Sequence, residues 1–487
     1  AEEYATYLNR IVALHGTDKD DIFEITRMPD GETKVVIKRD IKDEKNTIIL
    51  ERTFNKEETK EIWIYGLNDD DAFTVKGEGN NFIKVRLIGG FGKDKFTVEN
   101  RRALKVYDWD HEETEFDEKT PAHQFTSKYE TNTYHWRYFK ENHHVILPNI
   151  GFQLDDGFFV GARDTYTNNG FNGNPFRYQH SLLANYYFNF QAVELEYEGV
   201  FANIFPHWNL EAGGYFTSST FANNYFGFGN NTFYDDDAVD RDFNRARMQQ
   251  IKADIGLAFK TLRFKALFES FEVEESPNRL FNPSTNAVNP DVFEMQNYAG
   301  LEAGLRYRNQ NAIDFPTKAR HLEVVVGYKS NIENSDNAFG YAGAKLGFEE
   351  GLIPSGSLVL GSSAGIRHNF GDFGTDYYFY HAPSIGGNTG LRGFRNERFT
   401  GNTAFYHTTD LKLRLARLTT SVIPITLGTF GGFDYGRVWS DVDTSDTMHT
   451  SFGGGVWLSG LNSLAFKAGY FVSEETQMIQ VGFLLTN

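Results

Sequence analysis

The chain has 487 residues, with 48 Lys and Arg against 66 Asp and Glu, a net charge of −18 and no cysteine. This charge argues against a nucleic-acid partner, which needs clustered basic side chains, and the lack of cysteine excludes a disulfide framework and a thiolate metal site. With 45 Phe, 25 Tyr and 46 Gly beside 12 Pro and a mean hydropathy of −0.47, the composition is typical of a membrane β-barrel, which combines a polar lumen with an apolar outer surface.

Two features of the chain bear on processing and membrane insertion. We find no apolar run of about 18 residues, so no transmembrane helix is predicted. A charged and then apolar leader is also missing at Ala1, and we expect a processed or truncated chain.

The first part of the chain contains a repeat, in which a Gly is followed by an Asp five residues on and a Phe two residues further. Its copies are Gly16, Asp21 and Phe23; Gly66, Asp71 and Phe73; and Gly89, Asp94 and Phe96. A degenerate copy near residues 46–48 gives a period of about 23 to 25, which is typical of a solenoid. We therefore predict a small all-β, solenoid-like domain over residues 1–128, followed by a connecting segment over 129–144.

The third copy also fits a calcium-binding pattern. Residues Gly89 to Thr97 match the nonapeptide G-G-x-G-x-D-x-U-x, in which carboxylates on adjacent coils hold Ca²⁺. Asp71 and Asp94 are the candidate ligands. Only one copy is good, however, and Gly and Asp also serve turns through local hydrogen bonds. The sequence favours the turn role over a structural calcium ion, and no other cofactor is expected.

From about Val145 onward, charged and apolar residues alternate with the period of two that places one strand face in lipid and the other in a lumen. Sixteen strands are predicted, which makes residues 145–487 an antiparallel transmembrane barrel. They are Val145–Leu154, Phe158–Thr167, Arg177–Phe188, Ala192–Ala202, Trp208–Ser218, Ala246–Phe259, Leu262–Val273, Asn297–Arg308, His321–Asn331, Phe339–Leu352, Ser357–His368, Thr403–Leu418, Ile425–Trp439, Ser451–Ser459, Leu464–Val472 and Gln477–Thr486. Long connections mostly follow odd-numbered strands, which indicates both termini in the periplasm.

One long connection, residues 371–401, carries the sequence Leu391-Arg392-Gly393-Phe394. An Arg that enters a partly wet lumen needs a carboxylate partner, and its planar fork suits a bidentate bond. Asp434 on the thirteenth strand is the predicted partner. The flanking Gly432 and Gly436 would let the loop approach the wall closely, and Gly393 would allow a tight turn.

These residues carry a family resemblance. The last 340 or so residues resemble the barrel of the BamA, TamA and FhaC superfamily, of the bacterial surface antigen type. The resemblance implies sixteen strands, an Arg-Gly-Phe or Arg-Gly-Tyr loop between strands eleven and twelve, and a partner motif around an Asp on strand thirteen. Arg392, Gly393, Phe394, Gly432, Asp434 and Gly436 would then form a structural latch, not a catalytic pair.

The seam between the first and last strands is the second candidate site. Pro148 lies in the first strand, where it cannot donate a ladder hydrogen bond, and Gly482 lies in the last. We expect the pairing there to be short or strained, although Pro148 could equally mark only the start of the strand. In the resembled superfamily this seam is a lateral gate for client strands.

The front of the chain departs from the assembly-type members, because residues 1–128 lack the helical periodicity of a POTRA module. It resembles instead the β-rich linker of chains in which such a barrel follows a calcineurin-like metallophosphoesterase. That enzyme's metal-binding motifs are absent, and we see no nucleophile with a base, so no enzyme activity is expected.

The sequence leaves two functions open, together with a weaker third, a simple pore. The first is a barrel in the outer membrane of a Gram-negative bacterium that inserts or passes polypeptides, with its N-terminal domain in the periplasm. Its partners would be outer-membrane lipid, polypeptide clients and periplasmic or lipoprotein subunits. The second is a barrel that anchors or exports a fused, phosphoesterase-like N-terminal domain.

Overall fold

A computed structural model describes residues 7–40, 47–78, 82–121, 123–135, 140–171, 173, 175–235, 240–283, 288–313, 315–419, 424–460 and 464–485. The chain divides into two compact units, Ala1–Glu141 and Asn142–Asn487. This division falls inside the predicted connecting segment, of which residues 136–139 are outside the described ranges. Among the described residues, no helix is both long enough and apolar enough to span a membrane.

The described residues of the first unit form eleven strands and, after the last of them, a short helix. The strands are β1 (Ile11–His15), β2 (Asp21–Arg27), β3 (Thr33–Arg39), β4 (Thr47–Phe54), β5 (Glu61–Asn68), β6 (Ala72–Gly77), β7 (Lys84–Phe91), β8 (Lys95–Val98), β9 (Leu104–Trp109), β10 (Glu115–Phe116) and β11 (His123–Thr126), and the helix is α1 (Tyr129–Asn132).

Two sheets face each other across an apolar core, as in a solenoid. One has the order β1-β5-β7-β9-β11, and the other has the order β10-β8-β6-β2-β3-β4. Successive coils pair in parallel, so equivalent residues of the repeat lie one above another. The rings of Phe23 and Phe73 stack with centroids 4.5 Å apart, and those of Phe73 and Phe96 with centroids 4.8 Å apart. The predicted repeat is therefore a stack of coils.

The predicted degenerate copy near residues 46–48 is wrong. Thr47–Phe54 forms β4, which pairs antiparallel with β3 at the edge of the second sheet. The long gap between the first two copies is therefore filled by a β3–β4 hairpin extension and not by a further coil. Period alone could not distinguish them, because a hairpin and a coil use similar lengths of alternating sequence.

The second unit is a closed barrel of sixteen antiparallel strands with one short extra strand on its wall, β17 (Ala222–Asn224). The sixteen are β12 (His143–Gln153), β13 (Gly157–Asn168), β14 (Tyr178–Tyr187), β15 (Ala192–Phe205), β16 (Trp208–Thr217), β18 (Arg245–Phe259), β19 (Leu262–Val273), β20 (Gln296–Gln310), β21 (Lys318–Asn331), β22 (Ala338–Gly351), β23 (Leu358–Phe370), β26 (Thr403–Thr419), β27 (Pro424–Trp439), β28 (His449–Gly460), β29 (Leu464–Ser473) and β30 (Gln477–Leu485). The predicted barrel is confirmed, apart from small shifts in strand ends; the predicted last residue, Thr486, is outside the described ranges.

Alternation along the strands separates an apolar outer face from a charged inner face. On β19, Leu262, Phe264 and Phe268 are exposed on the outside. On the opposite face of the same strand, Lys265 Nζ lies 2.7 Å from Asp254 Oδ1 of β18. This arrangement places apolar side chains towards lipid and ion pairs in the lumen.

The connection between β23 and β26, residues 371–402, is called the inward loop below. It contains the short strands β24 (Ser384–Ile385) and β25 (Phe399–Thr400), which pair with each other, and a one-turn 3₁₀ helix, Pro290–Phe293, lies in the β19–β20 connection. The aromatic run at Tyr377, Tyr378 and Phe379 is buried. These side chains pack the loop and do not form part of a lipid-facing girdle.

Candidate functional site

The tip of the inward loop is held by an apolar cluster. Leu391 and Phe394 are both fully buried, and they pack with Ile385, Phe399 and Val438. Because Leu391 and Phe394 flank Arg392 and Gly393 on either side, their burial fixes the direction in which the Arg392 side chain leaves the loop. Its guanidinium points to the inner wall at β26 and β27.

Arg392 binds Asp434 through both its backbone and its side chain. Nη2 lies 2.6 Å from Asp434 Oδ1, Nε lies 3.0 Å from Oδ2, and the backbone N–H donates to Oδ2 at 3.1 Å. Asp434 is completely buried. A bidentate, charge-assisted pair of this kind fixes both position and orientation.

Three further residues contact Arg392 or Asp434, and none of them was predicted from the sequence to do so. Asp410 Oδ1 accepts from Arg392 Nη1 at 2.7 Å, and Ser451 Oγ donates to Asp434 Oδ2 at 2.9 Å. The Phe471 ring lies 4.1 Å from the guanidinium carbon. Asp410 had a signal in the alternating sequence of the twelfth strand, whereas Ser451 and Phe471 had none, because their role depends on the register in which β27, β28 and β29 pair.

The predicted glycines lie where the loop and the wall approach each other. A Cβ at Gly393 would lie 2.7 Å from Ser451 Cβ, and one at Gly432 would lie 2.6 Å from Arg392 Nη2. At Gly436 a Cβ would lie 2.5 Å from the carbonyl oxygen of Phe405. A side chain at Gly393 or Gly436 would force the loop or a strand to move, and one at Gly432 would displace the Arg392 guanidinium.

The seam between β12 and β30 is a short ladder. Only Gly151 with Gly482, Phe152 with Val481, and Gln153 with Gln480 pair among the described residues. On its other edge, β12 pairs with β13 along its whole length, from His143 to Gln153. Pro148 lies beyond the end of the seam ladder, and the Gly151–Gly482 pair contributes no side chains across it.

Two more arginines of the inward loop were missed by the sequence reasoning. Arg395 and Arg398 are both almost completely buried, and they bind Asp155 and Glu475. The available signal was the spacing of three residues from Arg392 to Arg395 to Arg398. Their partners could not be read from the sequence, because each lies in a turn distant along the chain.

The candidate calcium ligands Asp71 and Asp94 lie inside the coil stack of the first unit. Asp71 Oδ1 accepts from the backbone N–H of Asp21 at 2.8 Å, and Asp94 Oδ1 accepts from that of Asp71 at 3.0 Å. In the described part of the chain, no three His, Cys, Asp or Glu side chains group as metal ligands would. These contacts fit the structural role of the two residues, and calcium binding stays a prediction that a chelator can test.

Burial also raises the pKa values of these two carboxyl groups. Burial, followed by the neighbouring Asp94 carboxylate, raises the pKa of Asp71 to about 9. Burial, followed by the Asp108 carboxylate, raises the pKa of Asp94 to about 8. Asp108 lies beside Asp94 at the position that Gly occupies in the earlier coils, and it was missed because its coil lacks that Gly.

Comparison with known proteins gives one family match. The model of the family described as haemolysin secretion/activation protein ShlB/FhaC/HecB matches residues 378–458. No curated protein sequence matches significantly.

Similar solved structures include BamA from Haemophilus ducreyi lacking POTRA domains 1–3, at 14% identity over 71% of each chain and a TM-score of 0.48. CdiB from Escherichia coli matches at 11% identity over 70% of this chain and 62% of that chain, with a TM-score of 0.47. CdiB from Acinetobacter baumannii matches at 11% identity over 71% of this chain and 59% of that chain, with a TM-score of 0.41. This chain therefore spans less than two thirds of either CdiB chain.

The family match coincides with the candidate site. It runs from Tyr378 in the inward loop to Leu458 in β28, and it contains both Arg392 and Asp434. The strands around it close into a sixteen-stranded antiparallel barrel with an apolar outer face. The second unit is thus a closed sixteen-stranded antiparallel β-barrel, and its residues 378–458 are similar to the ShlB/FhaC/HecB family.

Proposed function

We propose that this barrel inserts polypeptides into the outer membrane, or passes them across it, by opening at the seam between β12 and β30. The observation that carries the proposal is the three-pair ladder at the seam. Residues 144–150 pair with β13 on one edge, and no ladder partner lies on their other edge among the described residues. A free strand edge offers backbone N–H and C=O groups that can pair with an incoming strand.

The inward loop has a structural part in this function. The Arg392–Asp434 latch would hold the loop tip against β27 while the β12–β30 pairing opens and closes. The proposal needs no cofactor and no catalytic step. It implies contact with outer-membrane lipid, with polypeptide clients and with periplasmic or lipoprotein subunits, and it places the solenoid-like domain in the periplasm.

Depletion of the protein in its native cells tests the proposal. We expect many unrelated outer-membrane or exported proteins to fall in abundance, as measured by quantitative proteomics of isolated outer membranes. A membrane proteome that stays unchanged would contradict it.

The alternative is that the barrel anchors or exports a phosphoesterase-like domain fused to its N-terminus. It is favoured by the nature of the first unit, which is a stack of β-coils and not a mixed helix and strand module. Under this alternative, depletion would remove only the activity attached to this chain.

A further inference from the structure

The two turns that flank the seam both bind the inward loop. The β12–β13 turn, residues 154–156, directly follows Gln153, the last residue of the seam ladder in β12. The β29–β30 turn, residues 474–476, directly precedes β30, which begins at Gln477. Both turns therefore lie at the paired end of the seam, one on each side of it.

On the β12 side, the contact is a buried ion pair. Arg395 Nε lies 2.7 Å from Asp155 Oδ1, and the backbone N–H of Asn396 donates to Asp155 Oδ2 at 2.9 Å. The Arg395 and Asp155 side chains are 2% and 1% exposed. The amide of Asn388 adds a hydrogen bond to Gln153 Oε1 at 3.0 Å.

On the β30 side, the contact is a forked ion pair. Arg398 Nη2 lies 2.6 Å from Glu475 Oε1, and Nε lies 2.7 Å from Oε2. The carbonyl oxygen of Gly393 accepts from Ser473 Oγ at 2.8 Å and from Thr476 Oγ1 at 2.7 Å. The same short stretch of loop thus holds both sides of the seam.

We propose that Arg395 and Arg398 staple the seam: each binds the turn beside one seam strand, and the seam opens when one of the two contacts is released. The inference rests on the proposed function and assigns the control of opening to the inward loop. It also divides the roles of the three arginines. Arg392 anchors the loop to β26 and β27, whereas Arg395 and Arg398 bridge β12 and β30. Because the ladder itself is short, these charge-assisted bonds are a large share of what joins the two strands.

Distance measurements between two spin labels test the staple without any client. The chain has no cysteine, so Phe158→Cys and Ile479→Cys supply the only attachment sites. Both side chains are exposed, Phe158 on β13, which is paired along β12, and Ile479 on β30. The labelled full chain would be reconstituted in phospholipid vesicles for pulsed electron paramagnetic resonance.

We expect one narrow distance in the labelled parent. In the Arg395→Gln, Arg398→Gln double variant a second, longer distance should appear, with the ratio of open to closed seams raised about tenfold or more, which corresponds to the loss of a charge-assisted hydrogen bond. Glu475→Gln keeps the shape of the side chain and removes only its charge, so it decides the question if the double variant does not fold. Lys412→Gln is the matched control, because Lys412 pairs with Glu349 at 2.6 Å on the barrel wall away from the seam.

An unchanged distance distribution in the double variant and in Glu475→Gln would overturn the staple, as would equal broadening in Lys412→Gln. The result is independent of the depletion experiment. If the labels separate while depletion leaves other membrane proteins unaffected, the staple holds and the transport proposal fails.

Discussion

Arg392 shows how a single side chain can hold a long loop in one place. Its guanidinium is shared between Asp434 and Asp410, and the first of these carboxylates is completely buried. A buried ion pair contributes little net stability compared with apolar packing, but removal of one partner leaves an uncompensated charge. The pair is therefore a strong constraint on where the loop lies.

Arg392→Ala should destabilise the folded barrel by about 3–5 kcal/mol, because Asp434 would be left buried without its cation. Asp434→Asn in the same chain should recover part of this loss, since it removes the stranded charge. The measurement is the unfolding free energy of the reconstituted barrel in a double-mutant cycle. Purely additive losses would contradict the latch, and Arg417→Ala, at an exposed Arg on β26, is the control.

Arg392 and Asp434 could be paired from the sequence because both lie in short, distinctive patterns at countable strands. Arg395 and Arg398 could not be paired in this way. Asp155 and Glu475 lie in turns near opposite ends of the barrel sequence, and they meet the loop only because the barrel closes. Closure brings together residues whose separation along the chain carries no local signal.

At the scale of the element, each coil of the first unit repeats two contacts with the next coil. One is the stacking of the Phe rings, and the other is a hydrogen bond to an Asp carboxylate. The column of Asp21, Asp71 and Asp94 is linked by backbone N–H donors from one coil to the next. Buried oxygens of all three side chains have no hydrogen-bond partner among the described residues. Such carboxyl groups are destabilising when they are charged, which explains the raised pKa values of Asp71 and Asp94.

The stability of the first unit should fall as the pH rises towards 9. In the unfolded chain these carboxyl groups lose their protons near pH 4, whereas in the folded unit Asp71 keeps its proton up to its pKa of about 9. Its stabilising contribution is therefore complete below pH 4 and declines by about 1.4 kcal/mol per pH unit up to its folded pKa. The carboxylates that help to raise the pKa of Asp71 are Asp94, Asp21 and Asp20.

Amide hydrogen exchange in β5 and β7, corrected for the intrinsic rate at each pH, measures this effect in the full chain. We expect faster opening at pH 9 than at pH 5, with the difference reduced in Asp71→Asn. Asp30→Asn, at an exposed turn residue, should leave the pH dependence unchanged. Equal protection at both pH values would be inconsistent with a protonated Asp71.

Strand content was largely predictable because a period of two is visible in every barrel strand, and the repeat of Gly, Asp and Phe is visible in the coils. The β3–β4 hairpin was not predictable, since alternation alone does not say which neighbour a strand will pair with. β17 was also missed, because three residues are too few to show a period.

For the protein as a whole, a closed barrel removes every strand edge except where its first and last strands meet. Here that junction is held by three residue pairs, by the contacts of the inward loop and by little else among the described residues. Pro148 and the facing Gly151 and Gly482 keep the ladder from becoming longer or better packed. In such a barrel, we expect strand pairing to break most easily at the seam.

A reversible lock on the seam tests this account most directly. Phe152 and Val481 face each other across the ladder, so Phe152→Cys with Val481→Cys would form the only disulfide in a chain without cysteine. In depleted cells that carry this variant, we predict that the oxidised barrel fails to restore the outer-membrane proteome, and that reduction, or either single cysteine, restores it. An oxidised, fully cross-linked barrel that restores the proteome as well as the parent does would contradict a function that requires the seam to open.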